Sequence, residues 1–111
     1  MQQSEARKAV YLAGKITGDP CYFTKFLQIE KELEALGYAV FNPARLPQGC
    51  LPWISYMRIC FAMIDECSAV FFLPDWRESR GATWEYGYAV AKGKGITILE
   101  DDERRGGLHL K

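Results

Sequence analysis

Apolar positions along this 111-residue chain group into two kinds of run. Four short runs are almost unbroken: residues 8–13 (KAVYLA), 38–41 (YAVF), 68–73 (SAVFFL) and 95–99 (GITIL). Each has the length of a buried strand, and Gly14, Asn42, Pro74 and Glu100 close them in turn. After Ser68, SAVFFL is continuously apolar, as a central parallel strand covered on both faces must be. Between these runs the spacing changes to three and four. Over residues 21–36, Phe23, Phe26, Leu27, Ile29, Leu33 and Leu36 alternate with Lys25, Lys31, Glu32 and Glu34, and Gly37 supplies a helix stop. Over residues 53–66, begun by Pro52, Ile54, Met57, Phe61 and Ile64 form one row and Trp53, Tyr56, Cys60, Met63 and Cys67 a second. A helix apolar on two sides is covered on two sides, which suggests a subunit interface, the alternative being burial within the monomer. Residues 79–93 (SRGATWEYGYAVAKG) read as a third helix with Ser79 as its N-cap.

The order is therefore β-α-β-α-β-α-β. Helical connections between strands imply parallel pairing and right-handed crossovers. The expected fold is α/β: a three-layer α/β/α sandwich of the flavodoxin or Rossmann kind, with a four- to five-stranded parallel sheet. The fifth position, at one edge, falls to a short strand or to a partner chain. Residues 1–111 suit one domain with one core. Residues 1–7 are polar, and 100–111 are charged and glycine-containing, so they read as tails, the second being a possible arm to a neighbour.

Charge narrows the function. Lysine plus arginine and aspartate plus glutamate each total 14, so the formal net charge is zero, and the basic residues are scattered apart from Arg104 and Arg105. A duplex-binding domain shows a basic excess or face, so no nucleic-acid polymer is expected as partner. Of the four cysteines, Cys21, Cys50, Cys60 and Cys67, no two have the spacing of a zinc knuckle or redox pair. Cys60 and Cys67 lie two helical turns apart on one face, which suits buried free thiols. The lone histidine is His109, in the polar tail, so neither a metal site nor a cofactor is expected. No apolar run resembles a signal peptide or is long enough to cross a membrane, and the expected setting is cytoplasmic, away from the membrane.

In open α/β sheets ligands bind beyond the carboxyl ends of the strands. Four segments should meet there: the loop carrying Gly14, Lys15, Ile16, Thr17 and Gly18; Asn42 with Pro43; Asp75 with Trp76; and the helix start from Ser79 through Gly81 and Ala82 to Glu85. A helix N-terminus with a serine, a basic residue and a glycine is a ready anion site, so the expected ligand is small and anionic, most simply phosphorylated. The first loop lacks the spacing of a Walker loop or dinucleotide fingerprint. Lys15 either meets a phosphate or is solvated. Trp76 and Trp84 either stack on a base or belong to the core. Glu85, among Trp84, Tyr86, Gly87, Tyr88 and Ala89, either lies on a solvated helix face or is a carboxylate kept for chemistry. Asp75, on a rim loop, is the next candidate acid.

The motifs YLAGKITG, FNPA-x-LP-x-G, YM-x-x-C-x-AMI and FLPDW-x-x-S-x-GA-x-x-E, in this order, cover Val10 to about Ile98. They resemble the nucleoside 2-deoxyribosyltransferase superfamily and, within it, a small branch common in phages and prophages, the DUF4406-like proteins. The resemblance implies cleavage of an N-glycosidic bond, with Glu85 attacking the anomeric carbon and Tyr11 positioning that carboxylate. A second base or water then resolves the glycosyl-enzyme. Where transferases of free nucleosides carry an aspartate six residues before the nucleophile, this chain has Ser79, similar to the branch that hydrolyses nucleoside 5′-monophosphates. Where the family has an aspartate in the second helix, this chain has Cys60, which leaves Asp75 as the expected proton donor. A homodimer or larger homo-oligomer is also implied, since relatives complete their pockets with a neighbouring subunit. The alternative is a non-catalytic nucleotide binder with a degenerate site.

Overall fold

The computed structural model describes residues 7–102 and 107–110. The predicted elements are present within a residue or two at most ends: strand β1 (Ala9–Ala13), helix α1 (Tyr22–Ala35), β2 (Ala39–Phe41), α2 (Trp53–Glu66), β3 (Ala69–Phe72), α3 (Arg80–Ala91) and β4 (Gly95–Asp102). A further strand, β5 (Gly107–Leu110), follows, and short 3-10 turns span Pro43–Arg45 and Trp76–Glu78. The sheet order is β2-β1-β3-β4-β5. The first four are parallel, with Val10 opposite Val40 and Ala69, and Val70 opposite Ile96.

The fifth, edge position expected of the sheet falls to a short strand of the same chain, and this corrects the tail expected over residues 100–111. β4 continues through Glu100 to Asp102, and β5 returns antiparallel, Leu99 opposite Leu110 and Asp102 opposite Gly107. Residues 103–106 are too few for a crossover, and only an antiparallel return is open to so short a connection. The frayed end expected over residues 1–7 lies, as far as residue 6, outside the described residues, as do Arg104 and Arg105.

Strand alternation sends successive side chains to opposite faces. Val10, Leu12, Phe71 and Leu73 pack against Phe26, Ile29 and Leu33 of α1. Tyr11, Ala13, Val70 and Phe72 pack against Cys60 and Ile64 of α2 and Ala82 and Ala89 of α3. One helix therefore covers one face and two cover the other. Gly37, at φ +101°, ends α1 in the left-handed region that glycine adopts without strain.

The two apolar rows of α2 divide differently from the expectation. Its buried stripe is Met57, Cys60 and Ile64, drawn from both rows, with Cys67 buried at the C-cap, while Ile54 is 43% exposed. Much of the remainder is covered by α3 of the same chain. Phe61 stacks on Tyr88 with centroids 4.1 Å apart, and Trp53 meets Trp84 edge-on at 5.0 Å.

Candidate active site

The connection after β1 leads to α1 on one face, and the connections around β3 lead through α2 and α3 on the other. The chain thus diverges between β1 and β3, and such a divergence opens a crevice at the strand ends. A cavity of about 380 Å³ lies there, floored by Tyr11 of β1, Cys60 of α2 and Glu85 of α3. Glu85 sits in the second turn of α3, and Gly81 and Glu85, one turn apart, both face the cavity. The Tyr11 hydroxyl donates to Glu85 Oε2 at 2.7 Å, and both side chains are buried. This removes the alternative of a solvated helix face for Glu85.

Burial sets the electrostatics of the floor. It pushes the Glu85 carboxyl up to about 8, against the opposing pull of hydrogen bonds from Tyr11 and the Cys60 thiol, which favour the carboxylate. Burial, then the neighbouring Glu85 charge, raises Tyr11 well above its ordinary value. Burial first and Glu85 second push Cys60 up to about 12. Tyr11 and Cys60 therefore stay protonated near neutral pH, and Glu85 is the floor group that changes charge.

At the rim, Ser79 caps α3: its Oγ accepts from the Ala82 N–H at 3.0 Å. Gly81 borders the cavity where an added Cβ would meet Met57 Sδ at 3.3 Å. Arg80 also lines the cavity. Its guanidinium lies over the Trp53 ring at 4.2 Å and near that of Trp84 at 5.6 Å, and among the described residues it pairs with no carboxylate. A stacked guanidinium with free donors beside a helix N-terminus suits a carboxylate or phosphate ligand.

The cavity brings together Tyr11, Gly14, Ile16, Thr17, Pro43, Ser79, Gly81 and Glu85 of the residues predicted for the site. The others lie apart from its lining. Asp75 is ion-paired with Lys25, and its Oδ1 accepts from the Lys15 N–H at 3.1 Å, so both of its oxygens are engaged outside the cavity lining. The Lys15 ammonium stands 3.5 Å from Glu78. Trp76 is buried against Phe72 and stacks on Tyr86 at 4.9 Å, with the Arg77 guanidinium 4.7 Å from its ring centroid and its indole N–H unpaired; it belongs to the core. Ala82 is buried behind the cap. Asn42 accepts from the Ala44 N–H and donates to Glu30, a buried carboxylate that also takes two bonds from Arg45; together they pin the turn carrying Pro43 to α1. The guanidinium, ahead of the opposing burial, holds the Glu30 carboxyl below its usual range.

Sequence reasoning passed over the α2 wall, Trp53, Tyr56 and Met57, and the rim residues Gln48 and Glu78, and it counted Arg80 only as the basic residue of the helix start. The signal for the wall was present: Trp53, Tyr56 and Cys60 share a helical stripe, one read as a subunit contact. The Tyr56 hydroxyl donates to the Pro47 carbonyl at 2.6 Å and so holds the loop of Gln48 against that wall. Among the described residues no group of three or more His, Cys, Asp or Glu side chains is placed to hold a metal, and no helix is long and apolar enough to cross a membrane.

Comparison with solved structures places the fold. The chain superposes on a 2-deoxyribosyltransferase from Leishmania mexicana with a TM-score of 0.64 at 20% identity, covering 94% of this chain and 78% of that one. It matches the 2-deoxyribosyltransferase of the psychrotolerant bacterium Bacillus psychrosaccharolyticus with 0.62 at 23% identity, covering 81% and 70%. The solution structure of BlsM gives 0.67 at 22% identity, covering 89% and 68%. The chain thus has the fold of the superfamily its motifs resemble. No curated protein matches it in sequence. The model of a family described as a domain of unknown function, DUF4406, matches residues 8–98, and the chain belongs to that family.

Proposed function

We propose that the protein cleaves, or transfers across, the N-glycosidic bond of a nucleoside 5′-monophosphate or nucleoside, with Glu85 as nucleophile. The observation that carries this reading is a buried carboxyl held by a tyrosine hydroxyl at 2.7 Å on the floor of a cavity of about 380 Å³. That volume suits a nucleotide-sized ligand. The Glu85 carboxylate forms a bond to the anomeric carbon as the carbon–nitrogen bond breaks, and the electron pair leaves with the base. Water or a second base then attacks the same carbon and releases the carboxylate. Before that, the negative charge of Glu85 stabilises an oxocarbenium-like transition state, and Tyr11 holds the attacking oxygen in line. Arg80, Ser79 and the α3 N-terminus receive the phosphate. The fold likeness to two 2-deoxyribosyltransferases agrees with this chemistry. A homodimer or larger homo-oligomer is part of the reading, supported by Leu51, Ile54 and Trp84, each 43–44% exposed around Trp53.

One observation favours a second reading, a nucleotide binder without turnover. The group beside Glu85 on α2 is a thiol pushed up to about 12, a poor acid for a leaving base, and Asp75 is held elsewhere. Incubation with a panel of deoxynucleoside 5′-monophosphates, followed by chromatography for free base, tests the first reading. Release by the wild type and none by Glu85→Ala is expected. Wild type and variant alike releasing nothing refutes it, and calorimetric binding of an intact nucleotide then supports the second.

A further inference from the structure

We infer that Lys25, a residue of α1 outside the cavity lining, is a positioning residue that sets the cavity rim. The rim is built from two irregular loops, one following β1 and one following β3. Gly14, Ile16 and Thr17 line the cavity from the first, and Glu78 from the second. The peptide groups of Lys15, between two of those lining residues, are fixed from outside the loop: its N–H donates to Asp75 Oδ1 at 3.1 Å, and its carbonyl accepts from Lys25 Nζ at 3.0 Å. The same ammonium bonds Asp19 Oδ2 and Asp75 Oδ2.

An ammonium has three protons, and all three are spent here on acceptors from three places: the loop backbone, the loop's end at Asp19, and the loop after β3. Each carboxylate spends its second oxygen on a backbone N–H, Asp75 on Lys15 and Asp19 on Cys21 at 2.9 Å. The network is closed, with each of its three charged side chains only about a quarter exposed. Gly14 leaves no slack at the loop's start, since an added Cβ would come within 3.0 Å of Leu73 Cβ and 3.3 Å of Asp75 Oδ1. Removing the ammonium frees the Lys15 carbonyl and leaves two facing carboxylates uncompensated, so the loop carrying Ile16 and Thr17 moves off the cavity while the floor, on β1, α2 and α3, stays.

This inference rests on the proposed function for its kinetic readout only. The tests are Lys25→Met and Lys25→Arg, read by amide hydrogen exchange and by base release from a deoxynucleoside 5′-monophosphate. Exchange over residues 15–18 should rise at least tenfold in Lys25→Met, with α2 amides unchanged. KM should rise at least tenfold with kcat within threefold of wild type. Lys25→Arg keeps the charge and the melting temperature, but a planar fork does not reproduce three separately aimed bonds, so its KM stays raised. If Lys25→Met fails to fold, Lys25→Arg and Asp75→Asn carry the exchange measurement. Wild-type exchange over residues 15–18 in the folded variants, or wild-type KM in both lysine variants, overturns the inference. Absence of base release by the wild type would refute the enzymatic reading alone, and hydrogen exchange would still decide the role of Lys25.

Discussion

Replacing Glu85 by glutamine should stabilise the protein, and by an amount that depends on pH in a defined way. The carboxyl is buried, and burial moves it from 4.5 to about 8. A rise of that size favours the protonated form by about 5 kcal/mol relative to the unfolded chain. The sign follows from linkage: between the two values the unfolded chain has lost the proton and the folded chain keeps it. Folding stability due to this group is therefore undiminished below pH 4.5, falls as pH rises through the interval, and is flat above about 8. Glu85→Gln keeps the volume and an oxygen to accept from Tyr11 but does not ionise. The variant and the wild type should melt within a degree or two of each other at pH 4.5. Their difference should widen to more than about 10 °C at pH 9, taking roughly 3–4 °C per kcal/mol for a domain of this size. Calorimetric or fluorescence melting at half-unit pH intervals measures it, and differencing the two proteins cancels every titrating group that Glu85 does not itself perturb. A difference independent of pH would show that Glu85 ionises as freely folded as unfolded, and the electrostatic account of the floor would be lost.

Other outcomes follow from the same geometry. Tyr11→Phe removes a hydrogen bond to a charged acceptor, worth about 1.5–3 kcal/mol, so the acid limb of the base-release profile should move up from about pH 8 by roughly one to two units. At pH 7 kcat/KM should fall about ten- to hundredfold, and an unmoved limb would separate Tyr11 from the ionisation of Glu85. Arg80→Ala should raise KM for a 5′-monophosphate at least tenfold and leave that for the unphosphorylated nucleoside within twofold; equal effects on both would place the phosphate elsewhere. Alkylation at pH 8 followed by intact mass should show fast modification at the exposed Cys21 and Cys50 and none at Cys60 or Cys67, which are buried and pushed up to about 12 and about 11. Rapid loss of Cys60 would contradict its placement beside a buried carboxyl.

Periodicity made most of the architecture legible. A strand's worth of apolar residues and a helix's worth of three-four spacing are local signals, and α2 and the Ser79 cap lie where they point. β5 and the end of β4 were hidden because their approach is charged, Glu100-Asp101-Asp102, a composition that marks loops as readily as exposed edge strands. The faces of α2 show a second limit. Periodicity counts the sides of a helix that are covered, and nothing in residues 53–66 says that Tyr88 stacks on Phe61 or that Trp84 meets Trp53. Asp75 was placed at the rim by loop position, and its partner Lys25 stands fifty residues earlier in the chain. Glu85 and Tyr11 were singled out by a buried-charge argument and a resemblance, yet their contact spans 74 residues and appears only when β1 and α3 are packed.

In the proposed reaction Glu85 becomes covalently bonded to the sugar. Acid-quenched reactions with a deoxynucleoside 5′-monophosphate, digested and weighed, test it most directly. The peptide carrying Glu85 should gain the mass of a deoxyribosyl phosphate while base appears, and Glu85→Gln should yield neither. Sustained base release with that peptide unmodified at every quench time, and with Glu85→Gln as active as the wild type, would contradict it.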